Sequence, residues 1–286
     1  MKNTIKNFLK KHFLYYKIRD RFNPSVQINQ RQMFLSYQQR AKSNDLPLIK
    51  DTGFRVFSQF EEDGMLLYLF SLIGMTNKTF LEIGSDDGVN SNSANLYFNF
   101  DWHGIFIDGN SKSIKRGIKF YNKHPHTWTY KPNFICSLVT KENINALIKK
   151  GGLEGEIGLL SIDIDGNDYH IWDAIEQVSP QVVIIETQIA YGMNNIVVPY
   201  NPNYVHPGKH PDYCGASPVA MQKLGKKKGY RLVGANALGF NFIFVKNGLV
   251  EEFIPEVSVE SVLSHPSAID GLKKYDAVKG FEFIEG

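Results

Sequence analysis

Apolar and polar positions change rhythm near residue 79. Before it, Asn23-Pro24 closes a basic first segment, and residues 25–52 predict a polar helix and a loop ending near Pro47. The run Met65-Leu-Leu-Tyr-Leu-Phe-Ser-Leu-Ile73 predicts a buried helix that starts near Ser58 or Glu61 and closes at Gly74. From residue 79 onward, short apolar runs alternate with amphipathic stretches. Segments 79–83, 104–107, 128–135, 157–164 and 182–186 predict strands, and 92–100, 111–121, 141–150 and 168–175 predict helices. In the second of these helices Lys112, Lys115, Arg116 and Lys119 are expected to face outward. A further helix starts at the cap Ser217-Pro218 and ends at Gly229. Such alternation predicts a parallel sheet covered by helices on both faces.

The end of the chain departs from this rhythm. Tyr230-Arg-Leu-Val-Gly234 and Phe240-Asn-Phe-Ile-Phe-Val245 are separated by about five residues, whereas a parallel neighbour needs a crossover of a dozen or more. The final strand is therefore expected to run antiparallel. A doubly wound, mostly parallel seven-stranded sheet with a final antiparallel strand is the Rossmann-like architecture of class I methyltransferases. The expected division is a basic helical arm over 1–52, a main domain over 53–250 and an extension over 251–286 packed on it.

Composition narrows the class. With 43% hydrophobic and 21% charged residues, the chain reads as a soluble globular protein. No run of about 18 apolar residues predicts a membrane span. The N-terminus carries no secretory signal pattern, and Cys136 and Cys214 show no metal spacing, so free thiols in the cytoplasm are expected. Charge is uneven: residues 1–50 carry eleven Lys/Arg against two Asp, a net +9, and the rest a net −6. Phe8, Leu9, Phe13, Leu14 and Tyr15 interleave with that basic charge. The arm reads either as a helix lying on an anionic membrane surface or as a solvated helix packed on a partner or on the body. No nucleic-acid-binding motif accompanies it.

The chemistry concentrates at strand ends. Gly84-Ser-Asp-Asp-Gly88 is a glycine turn between strand and helix, the place where backbone approaches a ligand closely. It fails the G-x-G-x-x-G dinucleotide pattern, and Asp86 and Asp87 are expected to repel pyrophosphate. They suit a ligand with an amino group and a sulfonium centre, such as S-adenosylmethionine. Asp108 ends the second strand, where an acid can accept hydrogen bonds from both ribose hydroxyls.

Leu81-Glu-Ile-Gly-Ser-Asp-Asp-Gly88, Trp102-His-Gly-Ile-Phe-Ile-Asp108 and Ser161-Ile-Asp-Ile-Asp-Gly-Asn-Asp168 resemble the FkbM-like class I S-adenosylmethionine-dependent methyltransferases. Ser58-Gln-Phe-Glu-Glu-Asp-Gly64, Val183-Ile-Ile-Glu186 and Gly215-Ala-Ser217 fit the same pattern, and the resemblance covers roughly residues 55–248. It implies methyl transfer, often to a sugar or polyketide hydroxyl. It also implies that Glu82 and Gly84 line the methionine end of the cofactor, that Gly88 opens the helix, that Asp108 binds ribose, and that Gln59 and Asp63 touch the cofactor. Asp86, expected at the same pocket, departs from common class I enzymes, which have glycine there.

Asp163, Asp165 and Glu186 are expected to converge beyond the carboxyl ends of adjacent strands, where three carboxylates can hold Mg²⁺. That expectation has Asp163 and Asp165 on one face of a continuing strand. On the alternative reading Asp163 orients substrate or cofactor, and Asp165 and Asp168 only cap a turn and a helix. Candidate bases for an acceptor hydroxyl are Asp163, His170, His206 and His210, with Asp163 and His206 preferred. Segment 187–215, rich in Pro, Tyr, Asn and His, is expected to form a lid or substrate loop. The expected acceptor is a hydroxylated small molecule or glycan. Two other functions fit parts of the sequence: a metal-dependent glycosyltransferase using Asp163-x-Asp165, and a non-catalytic cofactor-binding protein.

Overall fold

A computed structural model describes residues 20–124 and 130–286. The hydrophobic part of the basic arm lies outside them, as does Trp128. The seven expected strands form one sheet. They are β1 (Thr79–Ile83), β2 (His103–Asp108), β3 (Asn133–Cys136), β4 (Gly155–Ile162), β5 (Val178–Glu186), β6 (Tyr230–Ala235) and β7 (Asn241–Lys246). Their order is β3-β2-β1-β4-β5-β7-β6. Strands β1 to β5 pair in parallel. As the short 235–240 connection requires, β7 runs antiparallel; it lies between β5 and β6.

Apolar side chains alternate to both faces, as a doubly covered sheet demands. Phe80, Phe106, Leu159, Val182 and Ile184 face one core. Leu81, Ile105, Leu160, Val183 and Ile185 face the other, where they meet Trp172 and Met221. The longer helices are α1 (Pro24–Lys42), α2 (Glu62–Ile73), α3 (Ala94–Phe100), α4 (Ser111–Tyr121), α5 (Ile144–Gly151), α6 (Asp168–Ala174) and α7 (Pro218–Lys227). The predicted Ser217 cap forms, its side chain accepting from the Ala220 N–H. Strand β4 ends at Ile162 rather than 164, because Asp168 accepts from the N–H groups of Ile164 and Gly166 and folds residues 163–166 into a turn. Among the described residues no helix is long and apolar enough to cross a membrane.

The described part of the N-terminal segment is built into the body. Tyr37 of α1 meets Tyr68 of α2 edge to face at 4.9 Å. Gln30 and Asn95, both buried, exchange two amide hydrogen bonds of 3.1 and 2.7 Å and so tie α1 to α3. At the other end, Ile284 bridges Val197, and Phe281 and Phe283 pack on Tyr213. The tail therefore covers the 187–216 segment. Asn95→Ala strands the Gln30 amide in a buried site. The expected cost is about 1–3 kcal/mol, read as a lower midpoint in urea unfolding with an unchanged slope.

Candidate functional site

Strand register builds the site. Ile83 pairs with Ile107 on one side and Ile162 on the other, and Ile162 pairs with Ile185. These four isoleucines form a buried row across β2-β1-β4-β5. The next residue on each strand is Asp108, Gly84, Asp163 and Glu186. One row of side chains thus delivers a glycine turn and three acids to the same sheet edge, at the carboxyl ends where open α/β sheets bind ligands.

The β1 and β4 ends crowd each other. A Cβ at Gly84 (φ +83°) would stand 1.6 Å from the Asp163 carbonyl oxygen, so only glycine fits. Asp86 occupies the left-handed region (φ +47°), which aspartate tolerates better than most residues. Its N–H donates to Asp108 Oδ2 at 2.9 Å. The Asn110 N–H donates to Asp108 Oδ1 at 2.6 Å. Two backbone bonds therefore fix the Asp108 carboxylate at the cleft wall and leave each oxygen able to accept again.

Glu82 borders the cleft, but its oxygens point elsewhere. It accepts from Ser91 Oγ (2.8 Å), the Ser93 N–H (2.9 Å) and the Asn92 N–H (3.3 Å). Burial lifts its pKa, and these donors oppose the lift. Its carboxylate thus sits inside the 91–93 loop that leads the chain into α3.

Asp86 and Asp87 are not free anions. Arg116 of α4 reaches back to both: Nη2 lies 3.1 Å from Asp86 Oδ1 and Nε 3.3 Å from Asp87 Oδ2. Arg116 is exposed, as expected of that helix face, and its guanidinium bends back along the surface to pair with the two aspartates.

A cleft of about 800 Å³ opens above this edge, within the range of small-molecule sites. Gln59, Asp108, Asp163, Glu186, Tyr204 and Asn241 are among its walls. Six carboxyl side chains line it, those of Glu82, Asp86, Asp108, Asp163, Asp165 and Glu186, while among the described residues no Lys, Arg or His does. Asp163, Asp165 and Glu186 each offer an oxygen within 4.8 Å of the others. They converge through a turn, with Asp165 at φ +54°, and not along a continuing strand. None of the three takes part in an ion pair among the described residues. Burial first, then the neighbouring acids, pushes the Asp163 carboxyl up to about 8 and Glu186 well above the usual range. Asp168 stands apart: it is buried at about 6, with its oxygens committed to the turn.

Several expected residues have other duties. Asp63 does not line the cleft. Its Oδ2 accepts from the N–H groups of Val56, Phe57 and Ser58 at 2.6–2.8 Å and shapes the turn that presents Gln59. His206 is exposed and sits just beyond the cleft wall formed by Tyr204 and Val205. His170 is buried with Nε2 2.8 Å from the Val198 carbonyl, and burial lowers its pKa. His210 Nδ1 accepts from the Asp212 N–H. The 187–215 loop is pinned at its base, since Gly215 N–H donates to Gly166 O and Asn167 Nδ2 to Asn201 O.

Sequence reading missed Glu62 and Asn241. Glu62, buried in the first turn of α2, accepts from Asn241 Nδ2 (2.8 Å) and Asn236 Nδ2 (3.2 Å). Asn241 opens β7, pairs with Glu186 of β5 and lines the cleft. The available signal was a pair of acids, Glu62 and Asp63, opening an otherwise apolar helix.

A carboxyl whose pKa is raised by folding holds its proton longer in the native than in the unfolded state. Native stability therefore falls as pH rises from the ordinary carboxylate range through about 8 for Asp163. Asp163→Asn removes one of three converging charges. It is expected to raise the melting temperature near pH 8 by about 2–4 °C, and to leave it nearly unchanged near pH 4, in parallel thermal scans.

No family model matches the chain, and no curated protein matches it. Among solved structures it is similar to the SAH-bound Podospora anserina methyltransferase PaMTH1, with 13% identity over 75% of this chain and 87% of that one and a TM-score of 0.44. It is also similar to the SAH-bound N-terminal domain of EvdMO1 (12% identity, 73% and 94% covered, TM-score 0.43). A third similarity is to a SAM-dependent methyltransferase from Aquifex aeolicus (12% identity, 72% and 95% covered, TM-score 0.35).

Proposed function

We propose that this protein is an S-adenosylmethionine-dependent methyltransferase that modifies a hydroxyl group of a sugar, glycan or other hydroxylated metabolite. The observation that carries the reading is the buried Glu82 carboxylate seated where the chain enters α3. In a dinucleotide site that helix end receives pyrophosphate. Here the Glu82 carboxylate already holds the Asn92 and Ser93 N–H groups. A phosphate cofactor would have to displace a tethered, buried anion. A nucleoside without phosphates has no such conflict, and Asp108, fixed at the end of β2, is placed to accept from its ribose hydroxyls. The antiparallel β7 supports the same reading.

The residues fit the cofactor: a glycine turn lining the cleft at Gly84, an acid with open lone pairs at Asp108, and polar walls at Gln59 and Asn241. Bound S-adenosylmethionine would supply a methyl group already activated on a sulfonium, so alignment supplies most of the catalysis. Asp108 holds the nucleoside end, and Gly84 lines the methionine end. Tyr204 and Val205 close the acceptor side of the cleft. Asp163, with a pKa near 8, is matched to receive the acceptor hydroxyl proton as the oxygen–carbon bond forms.

The chemistry of the three converging acids also fits a divalent cation, held by Asp163, Asp165 and Glu186, whose charge would acidify the acceptor hydroxyl. Chelation distinguishes the two uses. A metal-dependent reaction loses turnover in EDTA and regains it with Mg²⁺, whereas unchanged turnover leaves proton transfer to Asp163 alone.

Calorimetry tests the cofactor. S-adenosylhomocysteine is expected to bind, and NAD and UDP-sugars are not; tight binding of a UDP-sugar without S-adenosylhomocysteine overturns the proposal. Asp108→Ala is expected to weaken S-adenosylhomocysteine by about 1–3 kcal/mol through loss of charge-assisted hydrogen bonds.

A further inference from the structure

We infer that Arg116 is a positioning residue for the cofactor turn, a role that rests on the S-adenosylmethionine reading of the cleft. The helix bearing it, α4, grips the glycine turn on successive helical turns. Arg116 Nη2 spans both oxygens of Asp86 (3.1 and 3.3 Å) and also donates to Ser113 Oγ (3.1 Å). Gly117 packs so close that a Cβ there would stand 2.5 Å from the Asp87 carbonyl oxygen. Tyr121, fully buried, donates its hydroxyl to the Gly88 carbonyl at 2.6 Å. Residues 113, 116, 117 and 121 share one helix face, and that face covers the turn from Asp86 to Gly88.

Within this grip Arg116 has a particular task. Asp86 and Asp87 are adjacent anions, and Asp86 holds a left-handed backbone conformation that glycine adopts more easily. That conformation aims the Asp86 N–H at Asp108, the acid assigned to ribose. With Arg116 in place, the charge that makes aspartate costly at this position also anchors it. Without Arg116, repulsion between neighbouring carboxylates works on the residue that orients Asp108. Arg116 therefore acts on the cofactor through Asp86, and it lies outside the cleft lining.

An exposed pair in ordinary solvent contributes modestly. Arg116→Ala is accordingly expected to weaken S-adenosylhomocysteine by about three- to tenfold in calorimetry, with Arg116→Lys recovering part of the loss. The decisive variant is the double Asp86→Gly, Arg116→Ala. Glycine takes the left-handed conformation without strain and carries no charge to neutralise, so affinity is expected to return to within about twofold of wild type. Salt supplies a second readout: raising ionic strength weakens binding by wild type and not by the double variant. A purely structural arginine would lower the melting temperature of Arg116→Ala and would not be rescued by Asp86→Gly. Unchanged affinity in Arg116→Ala, or no rescue in the double variant, overturns the inference while wild-type binding stands. Failure of wild type itself to bind S-adenosylhomocysteine overturns the cofactor reading and this inference together.

Discussion

Everything at the cleft depends on the register of four parallel strands, fixed by Ile83, Ile107, Ile162 and Ile185. Each isoleucine is essentially inaccessible to solvent, and burying such a side chain is worth about 2 kcal/mol. A one-residue slip of any strand would turn its isoleucine to the opposite face, together with every other side chain on it. The opposite face is a second core packed for other shapes, so the slip costs close packing along the whole strand, a large error against a total stability of about 5–15 kcal/mol. The hydrophobic row thus acts as a ruler. It holds Gly84, Asp108, Asp163 and Glu186 level without any contact among their side chains being needed to align them.

That separation explains how the protein tolerates so much like charge in one place. The energy that holds the strands together comes from the apolar layers on both faces, so the acids at the edge need not be mutually favourable. Burial and repulsion raise the pKa values of Asp163 and Glu186. This is the pattern expected where a site is kept ready for chemistry and not relaxed for stability.

Much of the fold was legible in the sequence because it rests on local signals. Alternating apolar runs marked the strands, Ser217-Pro218 marked a helix start, and the short 235–240 connection forced an antiparallel final strand. The convergence of Asp163, Asp165 and Glu186 was also legible, since strand ends in a parallel sheet share an edge. The means of convergence was not. Asp168 folds the 163–166 turn through backbone N–H groups, and nothing in the local pattern separates such a capping acid from one that continues a strand. Long-range duties were hidden for a different reason. Glu62 meets Asn241 across 179 positions of sequence, and Asp63 spends its Oδ2 on its own preceding turn. Arg116 carries the same outward-facing pattern as its lysine neighbours, and only the left-handed Asp86 beside it reveals where its guanidinium goes.

The buried carboxylate of Glu82 has one further consequence. The loop that leads the chain into α3 already has a resident anion, covalently attached and held by three donors. Selectivity at this seat works by prior occupancy. An incoming phosphate meets neither a steric wall nor a bare repulsive charge, but a place already taken. Converting such a sheet to nucleotide use would therefore mean evicting Glu82 and reshaping the 91–93 loop that folds around it. Editing the glycine turn alone would leave the tenant in place.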